Sequence, residues 1–394
     1  MRPTRLAIAL FFFADGLLLG SWASRIPAVQ AQTGLNNTQL GLALFAASLG
    51  ALVAMPFAGR LCERAGSRRV VIASLAVEGL SLFGAATAGG FVWLCLALLG
   101  FGASFGSINV AVNAQGIALE RLYGRTILSS FHAAFSMGGL VGAGVGALAA
   151  GLHVTPRVHL GVLAVLATVT GLVLGRGLLA PTTDDAAPRR RMLWPPRPLL
   201  LLGAAAFCSL LAEGSAADWS APYLSQSTHA TAWAAGLGYA AFSLAMATSR
   251  TLGDRLACRF GPVALARAGG LVAATGLAVG LVAASAPVGL AAFAAMGAGL
   301  GVVVPILFRA AGSIPGVSTS VGVAAVSTIG WLGFLAGPPA IGFTAGAVGL
   351  RAALFIVVVA IASLLFLARC AAPRSAHLSE SRHAVGTPAG VRVA

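Results

Sequence analysis

The sequence predicts an all-α membrane protein with twelve transmembrane helices arranged as two six-helix halves. Three observations carry that prediction. The 394 residues are 58% hydrophobic and only 9% charged, with a mean hydropathy of +0.92, far from the roughly 25% charged residues of soluble domains. Apolar segments of roughly 18 to 25 residues, each able to cross about 30 Å of hydrocarbon as a helix, recur along the chain. Short motifs also repeat at one fixed offset between the halves, as they do in duplicated bundles.

The first six spans fall near residues 6–27, 38–59, 70–89, 91–116, 127–151 and 158–179, and the second six near 199–224, 232–250, 263–284, 288–309, 321–345 and 350–368. The opening stretch MRPTRLAIALFFFADGLLLG has the look of a signal peptide, but Asp15 interrupts it and further spans follow, so it reads as the first helix. Residues 1–179 form an N-terminal bundle and 199–368 a C-terminal bundle. Between them, residues 180–198 are polar and proline-rich, a cytoplasmic linker, and 369–394 have the composition of a disordered cytoplasmic tail.

Charge placement orients the chain. The formal net charge is +15, and all 25 basic residues are arginine. With both termini cytoplasmic, every arginine except Arg25, Arg157 and Arg351 falls on the inner side or at its helix ends, as the positive-inside rule requires. Topology thus accounts for the charge, and nucleic acid is excluded as a partner. The lack of lysine removes a phosphate-binding P-loop and Schiff-base chemistry. The five scattered cysteines show no metal-ligand spacing, and no catalytic or nucleotide constellation appears, so neither a metal, a cofactor nor an enzyme is expected.

The repeat is visible at an offset of 195. RLCERAG at 60–66 matches RLACRFG at 255–261, Gly102 and Gly106 match Gly297 and Gly301, and Gly138 and Gly142 match Gly333 and Gly337.

The loop GRLCERAGSRRVV, residues 59–71, resembles the cytoplasmic loop pattern of the major facilitator superfamily, carried here by Gly59, Glu63, Arg64, Gly66, Arg68 and Arg69. In that pattern glycine lets helix ends approach, and the acid and arginines pair to lock or release an inner gate. The second copy, GDRLACRFG, keeps Arg255, Arg259 and Gly261, has Cys258 where the acid falls, and offers Asp254 as a substitute, which implies an asymmetric lock. WASRIPAVQ (22–30), GFGASFGSINVAVN (100–113), SSFHAAFSMGGLVGAGVG (129–146) and AEGSAADWSAPYL (212–224) resemble the fucose/proton symporter-like branch, although Ala23 stands where that branch has an acid before Pro27. The resemblance implies a major facilitator fold working by alternating access on a small polar, sugar-like solute. It brings in Trp22 and Arg25 as solute-binding candidates.

Polar residues inside spans nominate the rest of the site, because intramembrane acids mark ion, proton or substrate paths. Glu213 lies roughly 21 Å up the seventh helix and Asp218 roughly 28 Å up. Glu213 is the leading proton-coupling residue. Asp218 reads either as a solute contact or as an interfacial acid beside the aromatic anchor Trp219. Asp15 and Glu78 lie near mid-depth as further proton-coupling candidates, Glu78 with the alternative of a partner on a neighbouring helix. His132, read as the one histidine of six within a span, is a proton relay or a neutral interhelical hydrogen bonder. Asn109 and Asn113 share a helix face and suit hydroxyl-rich ligands or interhelical contacts. Trp331 is positioned to stack on a ligand ring or to fill space.

The expected protein is a monomeric, multi-pass secondary transporter of a bacterial cytoplasmic membrane that couples solute uptake to protons. Efflux by proton antiport and a non-transporting membrane sensor are the alternatives.

Overall fold

The computed structural model describes residues 2–124, 127–180, 196–315, 317 and 319–372, and among these the chain is helical without strands. Most of the 180–198 linker, the tail beyond residue 372 and the side chain of Asp254 lie outside the described residues. The helices run α1 (Arg2–Thr33), α2 (Asn37–Ala65), α3 (Ser67–Ala86), α4 (Phe91–Tyr123), α5 (Leu128–Gly151), α6 (Pro156–Leu174), α7 (Arg197–Ser227), α8 (Ala232–Phe260), α9 (Pro262–Ala283), α10 (Ala286–Leu300), α11 (Val303–Gly312), α12 (Thr319–Val348), α13 (Leu350–Ala353) and α14 (Phe355–Leu367). α10 and α11 together form the tenth expected span, and α13 and α14 the twelfth.

Eleven of the expected spans are long and apolar enough to cross a membrane by length and composition. α8 falls outside that set although it has 29 residues, because Tyr239, Ser243, Thr248 and Arg250 dilute its apolar content. It nevertheless sits in the bundle, packed between α5 and α10. Several helices overrun the expected spans where arginines begin. α2 continues to Ala65, α4 to Tyr123 and α8 to Phe260, since an apolar window ends at the first charges while backbone hydrogen bonding carries the helix on into the polar interface.

Local chemistry sets the helix ends. Asn36 and Gln39 close a capping box at α2, and Thr155 caps α6 just ahead of Pro156. Between α2 and α3, Gly66 adopts φ 85°, and between α8 and α9 its repeat partner Gly261 adopts φ 79°, a region that strains residues carrying a Cβ. The Glu120 carboxylate, reaching over from α4, accepts from the backbone N–H groups of Ile127 and Leu128 and so supplies the cap that α5 lacks locally.

Packing repeats with the sequence. Gly102 and Gly106 bring α4 against the backbone at Ala47 and Ala51 of α2, and Gly297 and Gly301 bring the tenth span against Phe242 and Met246 of α8. Ala47 and Phe242, like Ala51 and Met246, are again 195 apart. Gly138 and Gly142 pack in the same way on α1, and Gly333 on α7, the close approach that small residues permit in membrane bundles.

The two halves meet where α2 faces α12, α5 faces α8 and α1 faces α7. Their closest approach lies at the end away from the chain termini. There Gln226 donates to Gln30 Oε1 at 2.9 Å and Thr38 Oγ1 donates to the Gly342 carbonyl at 3.3 Å. A Cβ added at Gly41 would lie 2.7 Å from Gly342 Cα, and one at Gly236 would lie 2.8 Å from Ala147 Cα. Deeper in, Ser48 Oγ donates to the Phe334 carbonyl at 3.0 Å.

Candidate functional site: a polar seam between the halves

The stretch LLAEGSAADWSAPYL lies within α7, the helix whose neighbours include α1, α8 and α12. Glu213 sits ~24 Å from the start of α7 and ~21 Å from its end, at mid-depth. Its Oε1 lies 3.4 Å from Nη2 of Arg250 on α8, and the two side chains are 20% and 30% exposed. The same guanidinium donates through Nη1 to Ser136 Oγ on α5 at 3.3 Å, and Ser136 donates back to the His132 carbonyl at 3.2 Å. Arg250 therefore ties an acid of the second half to a hydroxyl of the first.

Other polar groups gather around this link. His132 is exposed on α5, within electrostatic reach of Arg250, with its ring edge-on to Phe12 at 5.2 Å. Its imidazole makes no hydrogen bond among the described residues. Tyr239 of α8 is buried within reach of Glu213, Asp218 and Arg250 and stacks on Phe242 at 5.9 Å. Asp218 is half-buried and has no hydrogen-bond or ion-pair partner among the described residues. The expected aromatic anchor beside Asp218 is corrected here. α7 continues to Ser227, which leaves Asp218 ~13 Å short of the helix end, and Trp219 is fully buried rather than anchored at an interface.

Trp331 on α12 is half-buried, 5.2 Å from the ring of Phe334, and Phe334 covers Gly214 beside Glu213. Asn109 and Asn113 are half-buried on α4, where the Asn113 amide donates to the Asn109 carbonyl at 2.8 Å. That bond lies within one helix and does not link two.

Asp15 and Glu78 form a separate pair inside the first half. They are 1% and 0% exposed, interact across α1 and α3, and neither Glu78 oxygen has a hydrogen-bond partner. Trp22 and Arg25 lie further along α1, both 2% exposed, with Arg25 donating through Nη2 to the Val154 carbonyl. A buried histidine corrects the reading of His132 as the one intramembrane histidine: His159 lies in the first turns of α6 and is 7% exposed. Its position at the edge of an apolar span hid it.

At the terminal end, Glu63 and Arg64 are exposed and form no ion pair among the described residues. Nothing lies within 4 Å of a Cβ built on Gly59, so close helix approach is not made there. Arg68 is half-buried, Arg255 is exposed, and Arg259 lies over the Phe260 ring at 5.3 Å.

Sequence reasoning missed Arg250, Tyr239 and Ser136. A signal for Arg250 existed. Its counterpart 195 residues earlier is Met55, so this cation breaks the repeat at a position well inside the helix.

Comparison with known proteins agrees with this architecture. Residues 6–220 match the family model described as Major Facilitator Superfamily. The chain is 36% identical over 342 residues to an uncharacterised MFS-type transporter of Yersinia pestis, covering 87% of this chain and 88% of that protein. It is 37% identical over 378 residues to the membrane protein MosC of Rhizobium meliloti, covering 93% and 90%. Among solved structures, the nucleoside transporter NupG superposes with a TM-score of 0.71 at 13% identity, covering 94% of this chain and 98% of that one. A bacterial homologue of the human lysosomal transporter Spinster, inward-facing and occupied, superposes with a TM-score of 0.71 at 16% identity, covering 93% and 95%. By its family match and its relatives, this multi-pass membrane chain belongs to the Major Facilitator Superfamily, a family of transporters and not of enzymes.

Proposed function

We propose that the protein takes up a small polar, sugar-like solute across a bacterial cytoplasmic membrane, as a monomer, by proton symport and alternating access. The observation that carries this reading is the link from Glu213 through Arg250 to Ser136, at mid-depth and across the two halves. A half-buried acid paired with one cation has two states. Ionised, it holds the guanidinium; protonated, it gives up the charge that holds it. Solute or proton arriving at Glu213 thereby alters a contact that joins the halves, which is the coupling a symporter needs.

In this reading Asp218, Trp331, Asn109 and Asn113 contact the solute, whereas Trp22 and Arg25, each 2% exposed, are enclosed within the first half and do not. His132 relays protons near Arg250, and Asp15 with Glu78 form a second proton-accepting pair. With the termini and the Arg-rich α2–α3 connection cytoplasmic, the closed end of the bundle faces outward and the conformation is inward-facing. Glu63 and Arg64, without an ion pair among the described residues, fit an inner lock that is released, with Asp254, Arg255 and Arg259 as its second arm.

The test is uptake in right-side-out and inverted vesicles, using L-fucose, D-galactose and D-glucose as first probes with an imposed pH gradient. Accumulation driven by an inward proton gradient supports symport. Expulsion driven by the same gradient replaces it with antiport, and ligand-dependent signalling without solute movement replaces both with a sensor.

A further inference from the structure

Near the end of the bundle away from the termini, the first half encloses a guanidinium and an imidazole that its own described atoms do not satisfy. Arg25 spends Nη2 on the Val154 carbonyl, but Nε and Nη1 are buried without partners. Beside it, both ring nitrogens of His159 are buried without partners, and Arg25 acts electrostatically on that ring. Gly146 of α5 packs against both α1 and α6 at this level, since a Cβ built on it would run into Ser24 Oγ and lie 3.3 Å from His159 Cε1. No carboxylate among the described residues forms an ion pair with Arg25.

A buried cation with free N–H groups and no counter-charge is costly in hydrocarbon. The donor set is specific: a neutral imidazole offers one N–H, and Arg25 offers two further nitrogens that donate and never accept. With three donor nitrogens against the one acceptor nitrogen of the imidazole, such a set favours a ligand that accepts hydrogen bonds and carries negative charge. The near-complete enclosure, 2% exposure at Arg25 and 7% at His159, limits that ligand to an ion and excludes a solute the size of a sugar.

We propose that Arg25 and His159 hold a small monovalent anion of the halide class, chloride in the cell, between α1, α5 and α6. The ion balances the guanidinium where α1 meets the α5–α6 connection and fixes that corner of the first half. Transport chemistry at the seam does not enter this assignment.

The test uses the purified full-length protein in detergent, in sodium chloride, sodium bromide or sodium gluconate at equal concentration. Chloride and bromide are expected to raise the thermal midpoint above that in gluconate in a saturable manner, and Arg25→Gln is expected to weaken the halide dependence about tenfold. Equal midpoints in all three salts, or an undiminished halide effect in Arg25→Gln, overturn the proposal. Should Arg25→Gln fail to fold, anomalous diffraction from wild-type crystals grown in bromide decides. A bromide peak in contact with Arg25 and His159 supports the site, and bromide-soaked density without a peak there overturns it.

Discussion

Arg250 on α8 stands 3.4 Å from Glu213 on α7 and donates to Ser136 on α5, so one guanidinium spans the boundary between the two halves. Neither partner is sealed off, at 30% and 20% exposed. Replacing Arg250 by Met leaves Glu213 without its cation and is expected to cost about 1–3 kcal/mol, between the limits for exposed and buried pairs. Glu213→Gln with Arg250→Met is expected to recover part of that loss, measured as a double-mutant cycle in thermal midpoint.

Closure at the far end depends on backbone contact between α2 and α12. Gly41 and Gly342 meet so closely that a Cβ at either would lie 2.7 Å from the other's Cα. Gly41→Leu is therefore expected to hold the halves apart at that end. A cysteine placed at Gln30, in a background lacking the five native cysteines, should label faster with a membrane-impermeant thiol reagent in this variant than without it.

The two inter-helix turns should respond alike. Gly66 and Gly261 have φ of 85° and 79° with nothing within 4 Å of a Cβ added at Gly261, so alanine there meets conformational strain and no clash. Each substitution is expected to destabilise by about 1–3 kcal/mol, seen as matching falls in midpoint for Gly66→Ala and Gly261→Ala.

Glu120 serves as a remote cap for α5 through the N–H groups of Ile127 and Leu128. Glu120→Ala is expected to cost about 1–2 kcal/mol, and Glu120→Gln less, because the amide oxygen still accepts. Hydrogen exchange at the start of α5 should accelerate in the alanine variant.

Much of the fold was legible because bilayers impose simple rules. Segment length, arginine placement and the 195-residue offset led to the spans and the repeat, and the packing of Gly102 on Ala47 and Gly297 on Phe242 carries the same offset into three dimensions. Helix ends were less legible, since α2, α4 and α8 continue past their apolar windows. For the site, intramembrane acids stood out in a chain with few of them; Glu213 pairs with Arg250, His132 lies within electrostatic reach of Arg250, and Asp218 within reach of Tyr239. Their partners were hidden: Arg250 resembled one more helix-end arginine, and Tyr239 and Ser136 are ordinary residues until α8 is laid against α5. Trp219 misled because aromatic residues beside acids are common at membrane interfaces, whereas this one is packed into the core.

The most direct measurement compares wild type and Glu213→Gln in proteoliposomes, following a solute found among L-fucose, D-galactose and D-glucose, with and without an imposed pH gradient. The account predicts that Glu213→Gln still exchanges solute across the membrane at equilibrium but no longer accumulates it against a gradient when protons are supplied. Full proton-driven accumulation by Glu213→Gln would contradict it.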